Sequence, residues 1–104
     1  MTDTHRVIIT AEALSDLEGI ARYIRQDSPQ NAAAVAERVL KAIDSLGFMP
    51  GRFRRAGRSR KRGSTIRAML VRPFIVYYRV EGRPAAIYIL TIRHGRRRQP
   101  RRFE

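Results

Sequence analysis

Arginine is the residue type that dominates whatever chemistry this chain can carry. The sequence contains 20 arginines and two lysines among its 104 residues. A guanidinium group presents planar, forked donors that match carboxylate and phosphate oxygens, whereas a lysine ammonium group is a point charge. The composition therefore favours an anionic partner that is held through forked contacts.

The positive charge is concentrated in one half of the chain. Residues 1–46 carry seven acidic and five basic side chains, a net charge of −2, and residues 47–104 carry 17 basic and two acidic ones, a net charge of +15. A compact body would repel itself at the resulting +13 unless a polyanion normally covers it. Nucleic acid, an acidic protein and an anionic membrane surface are the candidate partners.

Groups that could move a proton are scarce in the basic half. Residues 52–67 hold eight bases and no acid, which is too dense for an ordinary solvated face. No carboxylate occurs between Gly47 and Val80, and arginine stays protonated throughout the useful pH range. His94 is the side chain of this half that we expect to titrate near neutrality, although a histidine at a strand end more often bonds to backbone than catalyses.

The composition also excludes several classes of protein. The absence of cysteine excludes disulfides, thiolate metal sites and cysteine nucleophiles. No apolar run approaches the ~20 residues needed to cross a bilayer, and residues 1–5 lack the order of a signal peptide. A chain of 104 residues can form one hydrophobic core. We therefore expect a single cytosolic domain, residues 1–104, without metal, cofactor or membrane contact, and we assign no role to His5.

The N-terminal half predicts one strand and a helical hairpin. Residues 6–10 form a short, mainly β-branched run that predicts a strand, and Thr10 can cap a first helix. Ser28 can cap a second helix, with Pro29 at its first position and Gly47 at its end. The short connection makes the two helices antiparallel. The apolar stripes are Leu14, Leu17, Ile20, Ala21 and Ile24 in the first helix and Ala32, Ala36, Val39, Ile43 and Leu46 in the second.

The C-terminal half predicts a sheet between two basic segments. The basic loop 48–64 favours neither a helix nor a buried strand, because it contains Pro50, three glycines and seven bases. Three strands are expected at 65–71, 74–80 and 85–92, followed by a basic tail at 94–104. The predicted architecture is α+β, in the order β-α-α-β-β-β, with the helical hairpin packed on a small, mainly antiparallel sheet.

A set of short motifs in this order is typical of one known family. The motifs are Thr10-Ala-Glu-Ala13, Asp16-Leu17, Ile20-Ala-Arg-Tyr-Ile24, Asp27-Ser28-Pro29, Leu46, Pro50, Gly51-Arg52, Arg67, Tyr77-Tyr78-Arg79-Val80 and Ile92-Arg-His-Gly-Arg-Arg97. The chain resembles the RelE/ParE superfamily of bacterial type II toxin–antitoxin toxins, in particular the ParE, or plasmid-stabilisation, branch. The resemblance covers residues 6–97.

This resemblance implies partners and candidate contact residues. A toxin of this family is expected to form a hetero-oligomer with a cognate acidic antitoxin, here a ParD-like protein with a ribbon-helix-helix N-terminus. Its target is DNA gyrase in the ParE branch, or the ribosome and messenger RNA in the RelE branch. The expected target-binding residues are Arg67, Arg79, Arg93, Arg96 and Arg97. The expected antitoxin-binding residues are Tyr23 and Val35, a second row on the helices that could be left for a partner, together with Arg52, Arg58 and Arg60.

The residues favour the gyrase-directed reading over the nuclease. Cleavage of RNA by its 2′-hydroxyl needs a proton acceptor, a proton donor and cations. His94, with Arg67 and Arg79, is the set that could supply them. Nuclease members commonly carry a tyrosine, or a histidine–tyrosine pair, near the C-terminus, and residues 95–103 contain no tyrosine. A plain nucleic-acid-binding module is a third reading, but the chain lacks RNP-like aromatics, a base-reading helix and a zinc signature.

Two positions have structural alternatives. Arg79 lies beside a buried strand and could instead pair with a carboxylate of the first helix, Asp16 or Glu18. Tyr77 and Tyr78 point to opposite faces of their strand, so at least one of them is expected in the core.

Overall fold

The computed structural model describes residues 5–59, 63–82, 84–95 and 102–103. The elements in this part of the chain are β1 (Arg6–Ile9), α1 (Ala11–Arg25), α2 (Pro29–Ser45), a 3-10 turn (Pro50–Arg52), β2 (Arg54–Arg55), β3 (Arg58–Ser59), β4 (Ser64–Val71), β5 (Phe74–Gly82), β6 (Ala85–His94) and β7 (Arg102–Phe103).

One five-stranded sheet carries the fold. Its strand order is β1-β6-β5-β4-β2, in which β1 is parallel to β6 and the other neighbours are antiparallel. This confirms the predicted α+β class and the mainly antiparallel sheet. Strands β3 and β7 form a separate parallel pair. The predicted order lacked β2, β3 and β7, each only two residues long.

The helices begin where their cap residues predicted. The Thr10 hydroxyl oxygen accepts a hydrogen bond from the Ala13 N–H at 3.2 Å, and the same hydroxyl donates to the carbonyl of Ile89 at 2.6 Å. The Ser28 hydroxyl oxygen accepts from the Asn31 N–H at 3.2 Å. Because Thr10 bonds to both α1 and β6, it also fixes the start of α1 against the sheet.

The hydrophobic core lies between the helical hairpin and one face of the sheet. Its buried members include Ala13, Leu17, Val35, Val39, Ile43 and Leu46 from the helical hairpin and Met69, Val76, Tyr78, Ile87 and Ile89 from the sheet. Burial of these apolar side chains is the main force that holds the hairpin on the sheet. No helix in the described part of the chain is long and apolar enough to cross a membrane.

Two of the predicted helix positions are wrong. Leu14 is 49% exposed, because the inward row of α1 contains Ala13 instead. Val35 is only 7% exposed and belongs to the core, since it lies between Ala32 and Val39 on the inward row of α2. It is therefore not left on the surface for an antitoxin. Tyr23 is 74% exposed, as a contact residue would need to be.

The first part of the basic loop is ordered by hydrogen bonds to the domain. The hydroxyl of Tyr78 donates to the Pro50 carbonyl at 2.6 Å, and the guanidinium of Arg67 donates to the Phe53 carbonyl at 2.7 Å. The Pro50–Arg52 turn corrects the expectation that this segment contains no helix. Strand β2 is exposed, which agrees with the prediction that no buried strand forms there.

An irregular step in the sheet changes the direction of the β6 side chains. Tyr77 pairs with Thr91, but the next residue, Tyr78, pairs with Ile89, so Leu90 is an extra residue on β6. Such a bulge shifts the alternation of side chains on the strand that contains it. Tyr77 and Tyr78 are both buried, in separate apolar clusters, which confirms the expectation that at least one packs in the core.

Candidate functional site

The face of the sheet away from the helices collects polar and aromatic side chains. Alternate residues of a strand share a face, and directly paired residues of neighbouring strands lie side by side. The apolar cluster on this face contains no helix residue among those that the structure describes. We call this surface the open face and define it by the side chains of Arg54, Ile66, Ala68, Leu70, Ile75, Tyr77, Arg79, Glu81, Tyr88, Leu90 and Arg93.

Arg79 lies at the centre of the open face and is held from two sides. Its Nε donates to the Glu81 carboxylate at 2.9 Å, and its guanidinium lies 4.7 Å from the centre of the Tyr88 ring. The predicted pairing with Asp16 or Glu18 is therefore wrong. Both of those carboxylates belong to α1, which covers the opposite face of the sheet. Glu81 reaches Arg79 because residues two apart on a strand point the same way.

A second group on the open face is centred on Tyr77. Burial raises the pKa of the Tyr77 hydroxyl, and the positive charges of Arg54 and Arg93 partly oppose this rise. Arg54 also hydrogen-bonds the hydroxyl. The Tyr77 side chain therefore stays neutral at physiological pH, between two guanidinium groups.

The bulge brings Arg93 to the same face as Tyr88. These residues are five positions apart, so a regular strand would point them to opposite faces. The extra residue Leu90 shifts the alternation by one position, so both side chains point to the open face. Arg93 lies opposite Ile75, and Tyr88 lies opposite Arg79. The open face thus combines two tyrosines with the guanidinium groups of Arg54, Arg79 and Arg93.

The residues predicted as a nuclease set do not come together. Arg67 pairs with Tyr78, and His94 pairs with Phe74, on the face of the sheet opposite to Arg79. The His94 ring packs edge-on against Phe74, with ring centroids 5.7 Å apart. Phe74 and Tyr78 are four residues apart, which is about 13 Å along an extended strand. His94, Arg67 and Arg79 therefore cannot surround one phosphate in this arrangement.

Arg67 and Arg52 form a different group, beside the buried Tyr78. Burial raises the pKa of the Tyr78 hydroxyl to about 12, with the charges of Arg67 and Arg52 opposing the rise. Arg52 donates to the Ser45 hydroxyl at 2.8 Å and lies 5.1 Å from the centre of the Phe53 ring. Both arginines therefore have structural contacts near the C-terminal end of α2, although Arg52 remains exposed.

Several predicted contact residues fall at or beyond the limits of the described chain. Arg60, Arg96 and Arg97 lie outside the described residues, and Arg58 is described only as part of β3. Arg93 is on the open face, and Arg67 is on the opposite face of the sheet.

Sequence reasoning missed three members of the open face. Glu81 lies just beyond the strand predicted at 74–80, although its position two residues after Arg79 is a usable signal for a shared face. Tyr88 was treated only as part of a continuous apolar strand. No pattern in the sequence indicates that Arg54 belongs to this face, because its pairing with Ala68 depends on how the loop folds back onto β4. The described residues contain no group of three or more histidine, cysteine or acidic side chains that could hold a metal ion.

The chain is similar to known toxin proteins over nearly its whole length. The family model for the ParE toxin of type II toxin–antitoxin systems, parDE, matches residues 7–99. The chain is 38% identical over 94 residues to Toxin RelE2 of Caulobacter vibrioides, covering 88% of this chain and 97% of that protein.

Solved structures show the same fold. One is described as the chromosomal ParDE toxin–antitoxin system from P. aeruginosa, with a TM-score of 0.66, 27% identity and coverage of 89% of this chain and 98% of that one. The archaeal RelE–RelB complex from Pyrococcus horikoshii has a TM-score of 0.66, 19% identity and coverage of 91% and 99%, which shows the fold alone. Because the family model spans nearly the whole chain, this protein belongs to the ParE toxin family of type II toxin–antitoxin systems.

Proposed function

We propose that this toxin inhibits DNA gyrase through its open face and basic tail, without cutting nucleic acid, and that an acidic ParD-like antitoxin neutralises it. The observation that carries the proposal is the composition of the open face. It presents three guanidinium groups around two tyrosines, while His94 lies on the other side of the sheet.

A binding role suits the charges of this face. The three arginines and the single carboxylate of Glu81 sum to +2, and Glu81 is 4% exposed and paired with Arg79. A buried, ion-paired carboxylate is poorly placed to take a proton from a substrate. Tyr77 is neutral and buried. The face is therefore better equipped for forked contacts to an anionic surface than for acid–base catalysis.

The antitoxin is proposed to occupy a different part of the molecule. Tyr23 on α1 is an exposed aromatic side chain of the kind that anchors protein interfaces. Arg52 is exposed at the start of the basic loop and could meet carboxylates of the same partner. An acidic, amphipathic segment that orders on the helical hairpin and reaches the basic loop would contact both residues and reduce the self-repulsion of the basic half.

Inhibition of purified gyrase tests the proposal. Arg93→Gln should raise the toxin concentration that halves supercoiling by tenfold or more, as expected when a forked, charge-assisted contact is lost. Arg22→Gln is the matched control, because this exposed arginine belongs to α1 and its removal changes the net charge equally. Equal effects of the two variants would argue that only overall charge matters. Unimpaired supercoiling with the wild-type chain would refute the proposal itself.

Messenger RNA cleavage is the alternative function. Its support is the stacking of Arg79 on Tyr88, because arginine and aromatic side chains together suit single-stranded nucleic acid. Primer extension on cellular messages after induction distinguishes the two functions. Cleavage phased with codons, together with unaffected supercoiling, would establish the alternative.

A further inference from the structure

We propose that Thr91, held by Asp16, is a positioning residue that sets the direction of Arg93 on the open face. The inference rests on the proposed function, in which Arg93 contacts the target. Its basis is a hydrogen-bonded chain that runs from the Asp16 carboxylate of α1 to the Thr91 hydroxyl, in the bulged part of β6, and on to the guanidinium group of Arg93.

The first link joins α1 to β6. One carboxylate oxygen of Asp16, Oδ2, accepts from the Thr91 hydroxyl at 2.7 Å and from the Ile92 N–H at 3.0 Å. Both bonds are to a charged acceptor, which makes them stronger than neutral ones. They fall directly after the extra residue Leu90, where the regular pattern of the sheet is interrupted. Asp16 therefore holds β6 at the point where its side chains change direction.

The second link joins Thr91 to Arg93. A threonine hydroxyl has a single proton, and that of Thr91 is given to Asp16, so its oxygen can only accept further bonds. Arg93 Nε donates to this oxygen at 3.3 Å. Thr91 is 4% exposed, so water does not compete freely for the same oxygen. The rotamer that Asp16 selects for Thr91 thus fixes where the acceptor for Arg93 lies.

The length of the second bond indicates that it orients the Arg93 side chain rather than stabilises the fold. At 3.3 Å it is longer than the usual range for an N–H donor and an oxygen acceptor, so it adds little to the free energy of unfolding. Its effect is to keep Nε directed at the sheet, which leaves the two terminal nitrogens of the guanidinium for a forked contact. A long side chain that is held in advance loses less entropy when it binds.

Thr91→Val tests the proposal, because it replaces the hydroxyl by a methyl group of similar size. We expect the toxin concentration for half-inhibition of gyrase to rise about twofold, the factor that corresponds to the weak end of the net contribution of a hydrogen bond. Thr91→Ser keeps the hydroxyl and should restore inhibition. In an Arg93→Gln background, Thr91→Val should change nothing further. An equal loss with and without Arg93 would show that Thr91 acts through the fold instead, and would overturn the proposal.

A second measurement separates this proposal from the choice of target. Hydrogen exchange of the Arg93 Nε–H, followed by NMR and assigned with Arg93→Lys, reports the bond without any partner. We expect exchange to be about twofold faster in Thr91→Val and in Asp16→Ala, and unchanged in Thr91→Ser. Unchanged exchange in Thr91→Val overturns the positioning role. Faster exchange in a chain that does not inhibit gyrase supports the positioning role and refutes only the target.

Discussion

Replacing Tyr78 by phenylalanine tests how the core holds the basic loop. The Tyr78 side chain is 0% exposed, and its hydroxyl donates to the carbonyl of Pro50 at 2.6 Å. Pro50 is also buried, so Tyr78→Phe leaves its carbonyl without this donor and without easy access to water. A net hydrogen bond contributes ~1 kcal/mol, and an unsatisfied buried group costs ~1–3 kcal/mol. We expect the free energy of unfolding to fall by about 2 kcal/mol at pH 7.

The effect of Tyr78→Phe should depend on pH in a defined direction. Burial raises the pKa of Tyr78 from 10.0 in the unfolded chain to about 12 in the folded protein. Between these values the unfolded chain releases the proton and the folded protein keeps it, so the wild type loses stability as pH rises. The full loss for two pKa units is ~2.7 kcal/mol. The variant has no such group, so the two stability curves should meet at roughly pH 11.5.

Urea unfolding followed by circular dichroism, from pH 7 to pH 11.5, measures both effects. Tyr23→Phe is the matched control, because Tyr23 is 74% exposed. Removal of its hydroxyl should change the free energy of unfolding by less than ~0.5 kcal/mol. A difference between the wild type and Tyr78→Phe that stays constant over this pH range would refute the reasoning from burial. A negligible difference at pH 7 would refute the role of the hydrogen bond to Pro50.

Three further outcomes are expected. Arg79→Gln should lower the free energy of unfolding by ~3 kcal/mol, because it leaves the buried Glu81 carboxylate without this partner, and adding Glu81→Gln should recover part of that loss in the same urea assay. His94→Ala should leave killing nearly intact, while deletion of residues 96–104 should weaken it. Colony counts after induction without antitoxin measure both effects. A nuclease that depended on His94 would instead lose ~10²–10⁴-fold in rate. Association with the antitoxin should slow markedly with added salt while dissociation changes less, which surface plasmon resonance can show; association rates that do not depend on salt would contradict the electrostatic attraction.

The sequence by itself determined the two helices, the first strand, the three long strands and the order of these six elements. Thr10 and Ser28 cap the two helices as predicted, since a cap needs only a side-chain oxygen and the next few N–H groups. The three long strands follow from continuous β-forming runs interrupted at Pro73 and around Gly82. These features depend on neighbours along the chain. The uneven charge is also a property of the sequence alone, and the anionic partner that it predicts stays a prediction.

The tertiary structure decided which side chains share a face. Val35 and Ala36 both fit an apolar spacing, and only the packing of α2 on the sheet selects Val35 for the core. The position of Arg67 opposite Tyr78 depends on the pairing of β4 with β5, which no local pattern specifies.

The bulge in β6 is the clearest case of this dependence on tertiary structure. By strict alternation, Tyr88 and Arg93 would point to opposite faces, and the extra residue Leu90 brings both to the open face. A carboxylate from a distant helix, that of Asp16, accepts hydrogen bonds from the two residues that follow Leu90. A one-residue shift is held by a contact 75 positions away in the sequence, so the face that Arg93 occupies is a property of the folded chain.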